Sequence, residues 1–349
     1  VKPAPLRIEP IFSPRLWGAR SLAPLYPEKS NLAEPLGEAW LTGVECRIAS
    51  APFEGKTLGE AWQEMPAEWR GTRLASSASF PLLVKFIFPK EKLSIQVHPD
   101  DAYAQAHERA AGGRGKTEMW HVVSAEPAAQ LLLGLKPGSD KNKFIAALDS
   151  PTLETLFVAH AAHAGDTYFV PAGTPHTIGA NMIICEVQEY SDLTYRVYDY
   201  GRVDAHGKPR ELHLEKALEV MRFGGSGGGR VPPLSLSTGA GNKTLLAACR
   251  YFAAERWEFQ ATVQTEADSD RFELFVVLEG AGYVHWQGSP LSYSRGQCWF
   301  VPASMGRFSL QPEQRTSVIR TYVPDLTELC GGLRNAGISN ARLTQAVFS

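Results

Sequence analysis

Residues 165–178 read GDTYFVPAGTPHTI, and residues 296–309 read GQCWFVPASMGRFS. The two stretches keep Gly, Phe, Val, Pro and Ala in register at an offset of 131 residues, and they part where the first carries His176 and the second Arg307. Each is a short apolar run opened by glycine and closed by a turn, the form of a strand entering a second strand. A unit that recurs at this distance predicts two similar β bodies in one chain. The histidine present in only one of them predicts that the two bodies do different things.

The surroundings of both copies agree. Runs such as FPLLVKFIF, KLSIQVHP, TEMWHVVSA, NMIICEVQEY and TYRVYDY alternate or are wholly apolar, with Gly, Pro, Asn and Asp between them. Turn signals every ~8–12 residues are the mark of antiparallel barrels or sandwiches, so a mainly β fold of two β-barrels is expected. A few short helices are expected in KTLGEAWQEM, HPDDAYAQAHERAAG, DKNKFIAALDSPTLETLF and RELHLEKALEVMRF. The strongest Gly/Pro cluster, FGGSGGGRVPP at 223–233, divides the chain into an N-terminal unit (1–223), a linker (224–233) and a C-terminal unit (234–349).

Bulk properties narrow the function. With 349 residues, 44% of them hydrophobic, and a formal net charge of −2, the chain offers no electrostatic case for nucleic acid or an anionic membrane as partner. No apolar run approaches the ~20 residues that span a bilayer. The first residues, VKPAPLRIEPIF, lack a secretory pattern, and the five widely spaced cysteines contain no CxxC pair. A cytoplasmic protein with free thiols is the expectation.

The residues that can carry chemistry lie in strand-like segments. In KLSIQVHPDD (92–101), alternation places Ser94, Gln96 and His98 on one face and Ile95 and Val97 on the other. In GRGKTEMWHV (113–122), Lys116, Glu118 and Trp120 share a face. PAGTPHTI delivers His176 from a tight turn. A lone histidine in a strand is most often a satisfied core or surface residue; His107, His121, His160, His163, His206, His213 and His285 have no comparable polar context. Gln96, His98, Glu118 and His176, if they converge, form an N/O set suited to zinc with a position left for water or substrate. Glu186 sits in the apolar run MIICEV, where a buried carboxylate needs a cation, and Arg196 and Arg202 follow it. Two arginines with Lys116 and Ser94 would also suit an anion. The Gly-rich linker lacks the Lys-Ser/Thr ending of a phosphate loop.

In these residues the chain resembles the type I mannose-6-phosphate isomerases in their shorter bacterial form. KLSIQVHPDD, GKTEMWHV, VPAGTPHTIG and EVQEYSDLTYRVYDYGR occur in the family's order, and PLGEAWLTG and KTLGEAW add to the likeness, which spans roughly residues 10–205 and is looser from about 225 onward. The resemblance implies two cupin-type (jelly-roll) barrels and one zinc ion held by Gln96, His98, Glu118 and His176. It implies reversible interconversion of mannose 6-phosphate and fructose 6-phosphate through a cis-enediol. It places Arg196 at the catalytic arginine and Glu186 at an active-site glutamate, with Lys116 as a further catalytic candidate. Ser94, Lys116, Arg202 and Lys85 fall near the substrate phosphate or hydroxyls. A sugar phosphate is then the partner, and a monomer or weak homodimer the expected state.

Two other readings use the same residues: a non-catalytic cupin that binds a sugar phosphate, and an iron-dependent cupin oxygenase. Glu186 and Lys116 beside the metal argue against the first, and metal analysis with oxygen consumption separates the second. In the C-terminal copy, neither FELFVVLEG nor GYVHWQG supplies a Gln-x-His and a Lys-x-Glu pair, so Arg307 marks a degenerate barrel without a metal site that packs against the first.

Overall fold

A computed structural model of the chain describes residues 2–148, 150, 152–204, 206–225, 228–238 and 241–349. Among them the strands form four antiparallel sheets. The first large sheet runs, in spatial order, through Gly229–Arg230, Thr167–Val170, Glu118–Ala125, Met182–Glu189, Leu82–Ile87, Leu36–Trp40 and Ile11–Ala19. A smaller sheet faces it, ordered Tyr195–Tyr198, Ile95–Val97, His176–Ile178, Gln130–Leu135 and Phe157–Ala161. The second large sheet repeats the order of the first with Leu6–Ile8, Cys298–Val301, Glu273–Glu279, Thr316–Tyr322, Ala253–Phe259, Gly241–Ala248 and Leu234–Thr238. Its smaller companion runs Val263–Glu266, Arg307–Pro312, Ala281–His285 and Leu291–Ser294.

The repeat seen in the sequence is therefore a repeat of strands. Thr167–Val170 and Cys298–Val301 occupy the same place in their sheets, and His176 and Arg307 each open the following strand. Register carries the equivalence further. Glu118 lies opposite Val170 as Glu273 lies opposite Val301, and Glu186 lies opposite Lys85 as Arg320 lies opposite Glu255. Even an irregularity recurs at the same place in both sheets, next to Ile184 in one and Val318 in the other.

Period-two alternation explains why these strands are so apolar. One face of each large sheet, with Phe86, Met119, Phe169 and Val187 from the first and Leu274, Ile319 and Phe300 from the second, enters one shared core between the units. The opposite face lines each unit's own interior: Trp120, Tyr168 and Ile184 in the first, Trp257, Phe275 and Trp299 in the second. Full burial of each such side chain stabilises by roughly 1.5–3 kcal/mol, so the back-to-back contact is a substantial part of the fold. The units also exchange strands. Leu6–Ile8 from the N-terminus pairs with Cys298–Val301, and Gly229–Arg230 from the Gly-rich segment pairs with Thr167–Val170. Residues 226 and 227 of the linker lie outside the described residues.

Helices form where they are expected, at Leu58–Glu64, Asp101–His107, Lys141–Ala147 and Leu214–Val220. Thr57 starts the first with a reciprocal box to Glu60, and Asp100 caps the second through the backbone of Tyr103. Among the described residues, no helix is long and apolar enough to cross a membrane.

Candidate metal centre and substrate cavity

Two three-residue strands and the start of a longer one bring the candidate ligands together. Gln96 lies within Ile95–Val97, with His98 one residue beyond the strand; Glu118 opens Glu118–Ala125; His176 opens His176–Ile178. Gln96 and His176 are direct cross-strand partners. The turn before His176 requires Gly173 at φ +83°, where a Cβ would also stand 2.8 Å from the Val220 carbonyl. Ligand atoms of His98, Glu118 and His176 all lie within 4.8 Å of one another and all three residues are buried. Gln96 Nε2 stands 3.2 Å from His176 Nε2.

The surroundings aim both imidazoles. His98 Nδ1 is 2.8 Å from the Leu193 carbonyl and His176 Nδ1 is 2.9 Å from the Thr174 carbonyl. Nδ1–H donates to these oxygens, which leaves each Nε2 lone pair turned toward Glu118 at 3.7 and 3.5 Å. Burial drives both histidines toward the neutral form, His98 well below the ordinary range and His176 down to about 4. Burial pushes the Glu118 carboxyl up, against the pull of Lys116. Both Glu118 oxygens are buried without a hydrogen bond of good geometry, although Lys116 Nζ stands 3.1 Å from Oε2 and 3.2 Å from His98 Nε2. Two neutral imidazoles and a buried carboxyl group whose nearest cation is Lys116, gathered around one point, are a donor set fitted to a divalent cation.

In front of this group opens a cavity of about 500 Å³. Gln96 and Lys116 form the part of its wall that touches the ligand group, and Ser94, Lys85, Glu186 and Arg196 line it as well. Glu186 accepts from Trp120 Nε1 at 2.9 Å and pairs with Lys85 at 3.0 Å. Burial opposes charge on both, but their mutual attraction wins: Glu186 is held below the usual carboxylate range, and Lys85, with Glu38 assisting, above its own. The cavity thus presents an ionised Glu186. Arg196 donates to the Glu211 carbonyl at 2.8 Å, while its Nε is buried without a partner.

Arg202 is not among the residues that line the cavity. Its guanidinium is occupied by Asp199 at 2.6 Å and by the Lys92 carbonyl at 2.6 Å, and Arg210, which shares Asp199, lines the cavity instead. Between Arg196 and Arg202 the chain leaves strand Tyr195–Tyr198 and turns at Tyr200 and Gly201, both at positive φ. Arg15, Glu38 and Asp192 also line the cavity and were not singled out from the sequence. Glu38 lies in PLGEAW and is paired with Arg15 at 2.6 Å and with Lys85 at 3.7 Å; an acid flanked by apolar residues in that run was the available signal.

Comparison with known proteins meets this geometry. The sequence model of the phosphomannose isomerase type I catalytic domain matches residues 6–121, and that of the mannose-6-phosphate isomerase cupin domain matches residues 242–323. Mannose-6-phosphate isomerase ManA of Bacillus subtilis is 30% identical over 322 residues, covering 88% of this chain and 96% of the relative. The mannose-6-phosphate isomerase of Streptococcus mutans is 34% identical over 283 residues, covering 80% and 86%. This chain belongs to the type I mannose-6-phosphate isomerase family. The crystal structure of the mannose 6-phosphate isomerase from Bacillus subtilis superposes with a TM-score of 0.82 at 29% identity, covering 91% of this chain and 99% of that one. An Archaeoglobus fulgidus structure at 18% identity and a TM-score of 0.72 shares the fold.

In this isomerase-family chain the second unit carries counterparts at several of the site positions. Register equates Gln96 with Glu266, His176 with Arg307, Glu118 with Glu273 and Glu186 with Arg320. A basic-x-acid pair therefore does exist there, as Arg271-x-Glu273, although no Gln-x-His or Lys-x-Glu does. Charges invert along one row: Glu38, Lys85 and Glu186 become Lys243, Glu255 and Arg320. Arg320 pairs with Glu273 and, at 3.1 Å, with Glu255. The carboxylate equivalent to Glu118 is thus neutralised by a covalently attached guanidinium. Arg307 is 89% exposed and pairs with Glu266 on the surface. Among the described residues, only the first unit's group has metal-binding geometry.

The site region also predicts a pH dependence. Burial pushes Glu189 up to about 8 and Glu118 upward. In the folded, chelator-treated protein these groups hold protons that the unfolded chain releases near the ordinary carboxylate range, so stability falls as pH rises through neutrality. Each contributes a slope of up to about 1.4 kcal/mol per pH unit. Thermal melts of metal-free protein should show a lower Tm at pH 8 than at pH 6.5, and Glu189→Gln should flatten the difference; an equal slope in that variant contradicts the assignment.

Proposed function

We propose that the chain is a zinc-dependent aldose–ketose isomerase that interconverts mannose 6-phosphate and fructose 6-phosphate through a cis-enediol, acting in the cytoplasm as a monomer or weak homodimer. The single observation that carries this is the buried His98–Glu118–His176 group set beside a cavity lined by the Lys85-paired carboxylate of Glu186 and the guanidinium of Arg196. Family membership supplies the reaction, and the donor set supports the metal. Gln96 is the proposed fourth ligand through its amide oxygen, which shares the same end of the side chain as the nitrogen beside His176. A bound divalent ion would act as a Lewis acid, orienting the sugar and taking up charge that grows on O1 or O2.

The protein's own groups have proposed roles. The proton must move between C1 and C2, and Glu186 is the candidate carrier because Lys85 keeps it ionised at the cavity wall. Lys116, in reach of His98 and Glu118, is the second candidate. Arg196 stabilises negative charge in the transition state without giving up its own proton. Ser94 and Lys116 are candidates to hold the sugar phosphate, joined by Arg15 and Arg210 in the cavity wall. Lys85 serves chiefly to hold Glu186 and Glu38. The N-terminal unit is the proposed catalytic cupin domain, and the C-terminal unit a cupin without a metal.

A coupled assay tests the reading. The chain should convert fructose 6-phosphate to mannose 6-phosphate, lose at least nine-tenths of that activity after chelator treatment, and recover it with added zinc. Absence of activity with zinc present would refute the isomerase assignment.

A further inference from the structure

The second unit reaches the metal centre through one hydrogen-bonded path. Asp101 follows His98 by three residues, at the start of helix Asp101–His107. Its Oδ1 accepts from the backbone N–H of Gly115 at 2.9 Å, and Gly115 precedes Glu118 by three residues. The two segments lie too close for any side chain at 115, where a Cβ would stand 2.6 Å from the Asp101 nitrogen. Lys116 N–H donates to the Pro99 carbonyl at 3.0 Å, so the chain ends bearing His98 and Glu118 are laced together. On the other side Glu189, buried, accepts from Thr117 N–H at 2.7 Å.

The remaining oxygen of Asp101 is taken from outside the unit. Tyr251 Oη donates to Asp101 Oδ2 at 2.7 Å, and Arg250 approaches the same oxygen at 3.3 Å. Both residues belong to the chain leading into strand Ala253–Phe259 of the second large sheet. Asp101, Gly115, Glu189 and Tyr251 do not line the cavity.

We propose that Tyr251, acting through Asp101, is a positioning residue that sets the separation of the His98 and Glu118 segments, so that the second unit completes the metal centre of the first. The inference rests on the metal reading above. It gives the degenerate unit a task that its own charge-inverted interior does not: bracing the backbone that presents two of the ligands. Outer-shell partners of metal ligands typically change affinity or activity by about 10–100-fold, and a brace one step farther out should act at or below the lower end of that range.

The experiment is a Co2+ titration of the full chain against a chromophoric chelator, with visible absorption of the bound ion and isomerase kcat recorded together. Asp101→Ala should weaken Co2+ binding by about tenfold and alter the absorption bands. Tyr251→Phe, which removes one hydroxyl, should weaken binding by a smaller factor in the same direction while its Tm stays at the wild-type value. Asp101→Asn keeps an acceptor for Gly115 and should recover most of the affinity. Wild-type affinity and absorption in Tyr251→Phe would overturn the proposal, whatever Asp101→Ala does. So would losses that follow a falling Tm in every variant with no recovery in Asp101→Asn. A wild-type chain that takes up no Co2+ would instead overturn the metal reading on which the proposal stands.

Discussion

Arg196→Ala is expected to lower kcat by about 10²–10³-fold, the usual loss when one preorganised donor to developing negative charge is removed. The expectation rests on the position of the guanidinium. Arg196 lines the cavity, has one anchor at the Glu211 carbonyl and keeps its buried Nε unpartnered. Burial and the neighbouring Arg210 weigh against its charge, a strain relieved when an anionic group enters. Arg196 faces Gln96 across the strand pair, but among the described residues its side chain makes no hydrogen bond or ion pair to Gln96, His98, Glu118 or His176, so bound metal should remain near the wild-type level. Arg196→Lys should recover only part of the activity, since a point charge does not reproduce the fork. Loss of metal in Arg196→Ala would show that the arginine is structural, and wild-type turnover would remove it from the reaction.

Arg320→Met is expected to destabilise the protein by about 3–5 kcal/mol, the cost of stripping a buried pair of its counter-charge. Arg320 is the cation between Glu255 and Glu273, with 13% of its side chain exposed, and it lies over the rings of Trp257 and Tyr322. Glu255 retains Trp257 Nε1 and Tyr322 Oη as donors at 2.8 Å each. Glu273 retains nothing comparable, and one of its oxygens already lacks a partner. The double variant Arg320→Met, Glu273→Gln should therefore regain a large part of the loss, a coupling that thermal or denaturant unfolding measures directly. A single variant as stable as wild type would mean that the network is not what neutralises the second interior.

Much of the fold is legible in local pattern because strand periodicity and turn chemistry are local. The FVPA repeat marks equivalent strands, and alternation in KLSIQVHPDD and GKTEMWHV correctly places Gln96 beside the ligand group and Lys116 and Glu118 on one face. The run MIICEV signals a buried Glu186, but its partner is Lys85 on the neighbouring strand rather than the nearby arginines. Arg202 shows the same limit: proximity in sequence to Arg196 does not survive the turn between them. The counterparts in the second unit escape a search for like residues, because the charge inverts from Glu186 to Arg320 and only cross-strand register reveals that they correspond.

The sequence by itself determined the residue types available for a metal and an anion, the two-fold repeat of β units, and which side chains share a strand face. Those properties follow from the two-residue period of a strand and from the turn preferences of Gly and Pro. Tertiary structure alone decided which of those faces meet, that Arg210 replaces Arg202 at the cavity, that an N-terminal strand completes the second unit's sheet, and that Tyr251 reaches Asp101. Each of these depends on strand register and on packing one sheet against another, where partners are separated by up to hundreds of residues and no local pattern records the pairing.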